Sequence, residues 1–149
     1  MKTRVEVMHG VNLDQLGVRD PEVYGKQTLT ELEVRVKRFA HELGLEPTFS
    51  QTNHEGEFCE GLHEARETAH GLILNPGAWT HYSYAIRDAL EVCGLPAVEV
   101  HISEVDSRED WRRHSVIADL CVGRVQGKGV DGYREALEIL RVELGGGRS

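Results

Sequence analysis

Two residues five positions apart, Arg19 and Tyr24, sit between Gly17 and Gly25 with Pro21 in the middle of the segment. The glycines let the chain swing at either end while the proline stiffens its centre, which is the build of a lid that carries chemistry. The same residues also fit a plain connection between a strand and a helix, with Arg19 and Tyr24 decorating a surface turn. Chemistry gives the pair a purpose. A tyrosine at its ordinary pKa near 10 is ionised in only about one molecule in a thousand at neutral pH. A cation beside it lowers such a value by roughly 1 to 3 units, so an arginine and a tyrosine in one lid make a base when the lid closes and water is excluded.

What the lid would close over depends on the polar residues that end the apolar runs. Asn12 follows Arg4-Val5-Glu6-Val7-Met8, Asn75 ends Gly71-Leu72-Ile73-Leu74-Asn75, and His101 and Ser103 follow Pro96-Ala97-Val98-Glu99-Val100. Arg112 lies in the charged loop that comes next, Glu104 to His114. Cationic donors with amides and hydroxyls suit a small polyhydroxylated carboxylate, and a tyrosine with a histidine can serve as base and acid without a cofactor. A buried histidine is as readily structural as catalytic, so His101 gains its meaning from its position and neighbours.

Those three runs read as strands, joined by a more polar one from Leu45 to Gln51 near a sheet edge and by Leu120 to Gln126. Helices are predicted between them. Thr28 to Leu43 has apolar residues at helical spacing, a capping box in Thr28 and Glu31, and a stop at Gly44. Further helices are expected from about Asn53 to Ala69, from His81 to Cys93 behind a Thr80 cap, and from Asp131 to Leu144. Five alternations of strand and helix imply an α/β fold of three layers: a flavodoxin-like parallel sheet in the order 2-1-3-4-5 with helices on both faces. Ligands bind such sheets beyond the carboxyl ends of the strands, where the order reverses. Asn12, Asn75, His101 and Ser103 would then meet in one crevice under the lid. Residues 1–144 are read as a single domain, with 145–149 a loose tail.

Composition narrows the function further. The chain has 149 residues with 17 Lys and Arg against 25 Asp and Glu, a net charge of -8 without a basic run, which argues against nucleic acid or an anionic membrane as partner. The expected setting is soluble and cytoplasmic, because no apolar segment reaches the roughly 20 residues that span a bilayer. Cys59, Cys93 and Cys121 are odd in number and never paired as C-x-x-C, so a disulfide framework is not implied. His54, Cys59 and His63 lack an obvious fourth ligand for a metal. Gly127 to Gly132 fits G-x-G-x-x-G, but too little chain follows for the strand and acidic residue of a dinucleotide site, and a tight turn is expected. No G-x-S-x-G elbow or C-x5-R loop offers a covalent nucleophile.

From about Val5 to Leu140 the chain resembles the type II 3-dehydroquinate dehydratases. The matching blocks are Asn12-Leu13 with Leu16-Gly17, Arg19 to Gly25, Asn53 to Glu57, Asn75-Pro76-Gly77-Ala78 with Thr80-His81, and Arg87 to Leu90. They continue through Glu99 to Ser103, Arg108-Glu109 with Arg112 and His114-Ser115, and Gly132-Tyr133 with Ala136-Leu137. The resemblance implies cofactor-free anti elimination of water from 3-dehydroquinate, through an enolate, in the shikimate pathway or in quinate catabolism. It makes Tyr24 the base, with Arg19 favouring its ionised form, and gives Asn12 a water that stabilises the enolate. His101 becomes the acid, oriented by Asn75 and Glu99. Ile102 and Ser103 would hold the carboxylate, His81 and Arg112 the ring hydroxyls, and Asp88 would reach a neighbouring subunit's site in a dodecamer built from trimers.

The chain also departs from the family's usual Asn-Gly-Pro-Asn-Leu-Asn after the first strand, reading His9-Gly10-Val11-Asn12-Leu13-Asp14. Trp79 replaces a common tyrosine, and Glu104 an asparagine. Two other readings therefore stand beside a dehydratase: a diverged binding or assembly protein of the same fold, and an enzyme for a related cyclic hydroxy acid.

Overall fold

The structure, a computed structural model that describes residues 2–145, alternates strand and helix along the chain. β1 (Thr3–His9), β2 (Leu45–Gln51), β3 (Gly71–Asn75), β4 (Ala97–Val100) and β5 (Gly123–Val125) pair in parallel in the order β2-β1-β3-β4-β5. α1 (Pro21–Tyr24) is a single turn inside the lid, followed by α2 (Leu29–Glu42), α3 (Glu55–Thr68), α4 (Tyr84–Cys93) and α5 (Asp131–Glu143). The three-layer fold read from the sequence is the one observed. The expected tail lies, apart from Gly145, outside the described residues. No helix among the described residues is long and apolar enough to cross a membrane.

Alternation along the strands divides the core in two. Val5, Val7, Ile73, Val98 and Val100 face α2 and α5, where they meet Leu32, Val36, Tyr133 and Leu137. Met8, Leu72, Leu74 and Ala97 face α3 and α4, against Phe58, Leu62, Ile86 and Leu90. Successive side chains of a strand point to opposite faces, so each buried strand needs apolar residues on both. Glu99 breaks this pattern on β4, a carboxylate with no exposure in the middle of the sheet. Trp79 belongs to the second core as well, edge-on to Phe58 at 5.8 Å between ring centres.

The ends of α2 follow the residues that mark them. Thr28 Oγ1 accepts the Glu31 amide and the Glu31 carboxylate accepts the Thr28 amide, the reciprocal capping expected. Elsewhere the chain corrects two expectations. Thr80 does not cap the helix before it: Pro76 and Gly77 lead into a tight 3₁₀ turn, Gly77–His81, that buries Thr80 and delays the helix. Ser83 does the capping, its hydroxyl accepting the Ile86 amide at 3.1 Å. The fifth strand is also shorter than its apolar run. Ala118–Leu120 forms another 3₁₀ turn, and ladder pairing covers only Gly123–Val125.

At the end of β1, His9 is fully buried, with Nε2 2.9 Å from the Tyr133 hydroxyl of α5. Burial lowers its pKa from 6.5 to about 4, because a desolvated imidazole resists protonation. Between those two values the unfolded chain binds a proton that the fold does not, so stability is complete above pH 6.5 and falls as the pH drops. The loss attributable to this one group approaches about 3 kcal/mol near pH 4. We expect the unfolding free energy of the wild type, measured by urea titration, to fall between pH 7 and 4.5 by about 2 to 3 kcal/mol more than that of His9→Asn; parallel losses would exclude His9 as a source of acid sensitivity.

Candidate active site

Beyond the carboxyl ends of β1, β3 and β4, the strand ends and the lid enclose a cavity. Asn12, Arg19, Tyr24, Asn75, His81, His101, Ile102, Ser103 and Arg112 all line it, together with Arg108. Every residue singled out from the sequence as catalytic is therefore at or beside one site, Glu99 lying behind His101. Asp88 alone among the proposed binding residues is elsewhere, exposed on α4 beside Tyr84 and Arg87.

His101 and Glu99 form the buried side of the site. His101 Nε2 donates to Glu99 Oε2 at 2.5 Å, and a carboxylate can only accept. That leaves Nδ1 as the ring nitrogen available to a ligand. Glu99 also accepts from Ser115 Oγ at 2.7 Å and from Arg124 Nε at 3.0 Å. Burial pushes its pKa up, but the His101, Ser115 and Arg124 hydrogen bonds outweigh burial and hold it below the usual carboxylate range. Asn75 does not bond His101. Its Nδ2 donates to Tyr133 Oη at 3.1 Å and its Oδ1 accepts the Gly77 amide at 3.3 Å, which defines the orientation of its amide.

Beside His101, at 6.2 Å between ring centres, His81 stacks nearly parallel. Its Nδ1 donates to the His114 carbonyl at 2.8 Å, so Nε2 is the acceptor it can offer. Burial lowers its pKa, with His101 and Arg112 adding to the effect against the His114 carbonyl and Glu99. A neutral His81 and a charged Arg112, whose guanidinium covers the Trp111 ring at 4.2 Å, give one acceptor and several donors on this wall.

Across the cavity the lid presents Tyr24 between two arginines. Gly17 and Gly25 both take positive φ, 90° and 81°, which a side chain would strain, and the Gly25 amide closes α1 on Pro21. Arg19 lies over the ring face at 4.3 Å, as its spacing suggested. The contact to the phenol oxygen comes from Arg108, whose Nη1 donates to Tyr24 Oη at 2.7 Å and to Ser103 Oγ at 3.1 Å. Sequence reading gave Arg108 no role. Only its place in a matching block, in the loop after a strand that ends in His101, marked it.

The residues around the departures keep the walls in shape. Asn12 is left-handed at φ 69°, a conformation asparagine tolerates, and its amide donates to Asn53 Oδ1 at 2.8 Å. Asn53 in turn donates to Asp14 at 3.0 Å, so this extra acid braces the turn from outside the cavity. Glu104 is exposed, bonds Ser107 at 3.3 Å and likewise does not line the cavity. The glycine motif makes the expected turn: Gly127 and Gly129 amides donate to the Ser103 and Ile102 carbonyls, each at 3.1 Å. A trans peptide is planar, so tying back the Ile102 carbonyl turns the Ser103 N–H the opposite way.

A family model described as dehydroquinase class II matches residues 3–141. The chain is 50% identical over 139 residues to the 3-dehydroquinate dehydratase of Bacillus pumilus, covering 93% of this chain and 95% of that one. With the 3-dehydroquinate dehydratase of Bacillus subtilis it shares 47% identity over 140 residues, 94% of this chain and 95% of the relative. The crystal structure of type II dehydroquinase from Butyrivibrio crossotus superposes with a TM-score of 0.90 at 38% identity, covering 94% of this chain and 98% of that one.

Arg108 is thus the latch between the lid and the Ser103 turn. Arg108→Met should speed tryptic cleavage after Arg19 severalfold, because cleavage needs local opening of the lid. Mass spectrometry of timed digests reads the rate at that bond, and an unchanged rate would show that the latch does not hold the lid.

Proposed function

Since the chain belongs to the dehydroquinase class II family, we propose that this cavity removes water from 3-dehydroquinate to give 3-dehydroshikimate, with Tyr24 as base and His101 as acid. The observation that carries the assignment is a lid tyrosine held by a guanidinium facing a buried histidine held by a carboxylate. The base and the acid approach the ring from different walls, which suits an anti elimination.

Tyr24, as its phenolate, takes the proton from the carbon next to the ketone, and the electron pair moves onto the ketone oxygen as an enolate. Arg108 on the phenol oxygen and Arg19 on the ring face supply positive charge where the tyrosine carries its anion. Asn12, braced by Asn53, holds a water against the enolate oxygen. The enolate then reforms the ketone, its electrons make the carbon–carbon double bond, and the carbon–oxygen bond breaks. His101 Nδ1 gives its proton to the departing hydroxyl, which leaves as water, while Nε2–H stays on Glu99. No step calls for a cofactor.

Binding uses the remaining walls. The Ile102 and Ser103 backbone and the Ser103 hydroxyl take the substrate carboxylate, with Arg108 adjacent. His81, Arg112 and the Asn75 amide take the ring hydroxyls. The same reading makes the protein a cytoplasmic homododecamer of four trimers in which Asp88 serves a neighbouring subunit. Its exposure on α4 beside an exposed Tyr84, and the three unpaired cysteines, support this. Light scattering should then give about twelve times the mass of one chain.

Purified protein incubated with 3-dehydroquinate should produce enone absorbance, and a silent wild type would sink the catalytic claim. Tyr24→Phe and His101→Ala should each lower kcat by about 10²-fold or more, as expected for loss of a general base or acid. Near-wild-type turnover in either variant would remove that residue from its role.

A further inference from the structure

β4 and β5 pair in register so that Glu99 lies opposite Arg124. Side chains directly opposite in neighbouring strands stand on the same face, and the two meet: Arg124 Nε donates at 3.0 Å to Glu99 Oε2, the same oxygen that accepts from His101 Nε2 at 2.5 Å. The Glu99 side chain has no exposure, and that of Arg124 is 23% exposed. Arg124 Nη1 reaches Asp106 at 3.5 Å, while Nη2 is buried without a hydrogen-bond partner. Leaving a guanidinium donor unpaired is unfavourable, so its placement is dictated by the bond its Nε makes.

From this shared oxygen we infer that Arg124 is a positioning residue of the dehydration, which offsets the Glu99 charge so that His101 can release its proton. The inference rests on the dehydration reading with His101 as acid. A buried carboxylate alone behind an imidazole holds the protonated ring strongly, because attraction is poorly screened there. A proton held more tightly passes more slowly to a leaving hydroxyl. A guanidinium on the same oxygen carries a permanent charge and divides the carboxylate's pull between two donors.

The other charged and titratable groups around His101 are unchanged by a substitution at position 124. His81 stacks on it from the turn before α4, and Arg112 lies on the same wall. Tyr24, Arg19 and Arg108 face it across the cavity. Asp106 meets Arg124 with one carboxylate oxygen and Gln126 with the other, and its charge acts in the direction opposite to Arg124's.

The test is the pH profile of kcat/KM, which reports groups in the free enzyme. In Arg124→Gln one limb should move to higher pH by about one unit, the size expected for removal of an adjacent charge, and Arg124→Lys should return it towards the wild-type position. Arg124→Met fills the same slot and serves if the Gln variant does not fold. Two superimposable limbs with a lower rate would mean that Arg124 only supports the fold, and would overturn the inference, as would a limb moving to lower pH. His101→Ala separates the layers: if it keeps wild-type turnover, the acid assignment itself fails. If it is inactive and the Arg124 profile is unmoved, only the role of Arg124 falls.

Discussion

A carboxylate with no solvent contact, placed in the middle of a parallel sheet, is the constraint from which the His101 side of the cavity follows. Glu99 must be met by donors or lose its charge, and it is met on both oxygens, by Ser115 on one and by His101 and Arg124 on the other. Those donors come from three places in the chain: the end of the same strand, the polar connection after it, and the next strand. Satisfying the carboxylate therefore fixes the His101 ring, anchors the loop that carries Ser115, and sets β5 against β4. The placement of His101 is obtained as the solution to a burial problem.

The other side of the cavity is held differently. Its lid contributes a short helical turn with few buried side chains, and Tyr24 depends on contacts made to it by Arg19 and Arg108. One arginine belongs to the lid itself and the other to the loop beyond Ser103, so the tyrosine is completed only when the lid lies down. The two sides of the cavity are thus held by different parts of the fold, His101 by the sheet and Tyr24 by two loops. Residues outside the cavity keep its remaining walls in place. Asn53 clamps the left-handed Asn12, the glycine turn ties back the Ile102 and Ser103 carbonyls, and Tyr133 orients the Asn75 amide. Two of the residues that set this chain apart from the usual family pattern, His9 and Asp14, lie in these supports. Asp14 braces Asn53 and His9 meets Tyr133, both from outside the cavity, whereas Val11 stands in its lining.

Sequence by itself determined the order and type of the main elements, the topology of the sheet, the capping box of α2 and the set of polar residues at the strand ends. These are legible because strand and helix periodicities, glycine stops and caps act within a few residues, and because a parallel sheet must present its strand ends at one edge. Local signals failed where a turn and a strand compete for the same apolar residues, as in the run from Leu120 to Gln126. They failed also where two hydroxyls could cap one helix, Thr80 and Ser83. Only the tertiary structure decided which guanidinium touches the Tyr24 oxygen, that Asn75 answers to Tyr133 rather than to His101, and that Arg124 and His101 share one oxygen of Glu99. Each of these is a meeting of residues from separate segments, set by strand register and loop packing. Hydrogen bonds and charge pairs act over a few ångströms in space, whatever the distance along the chain.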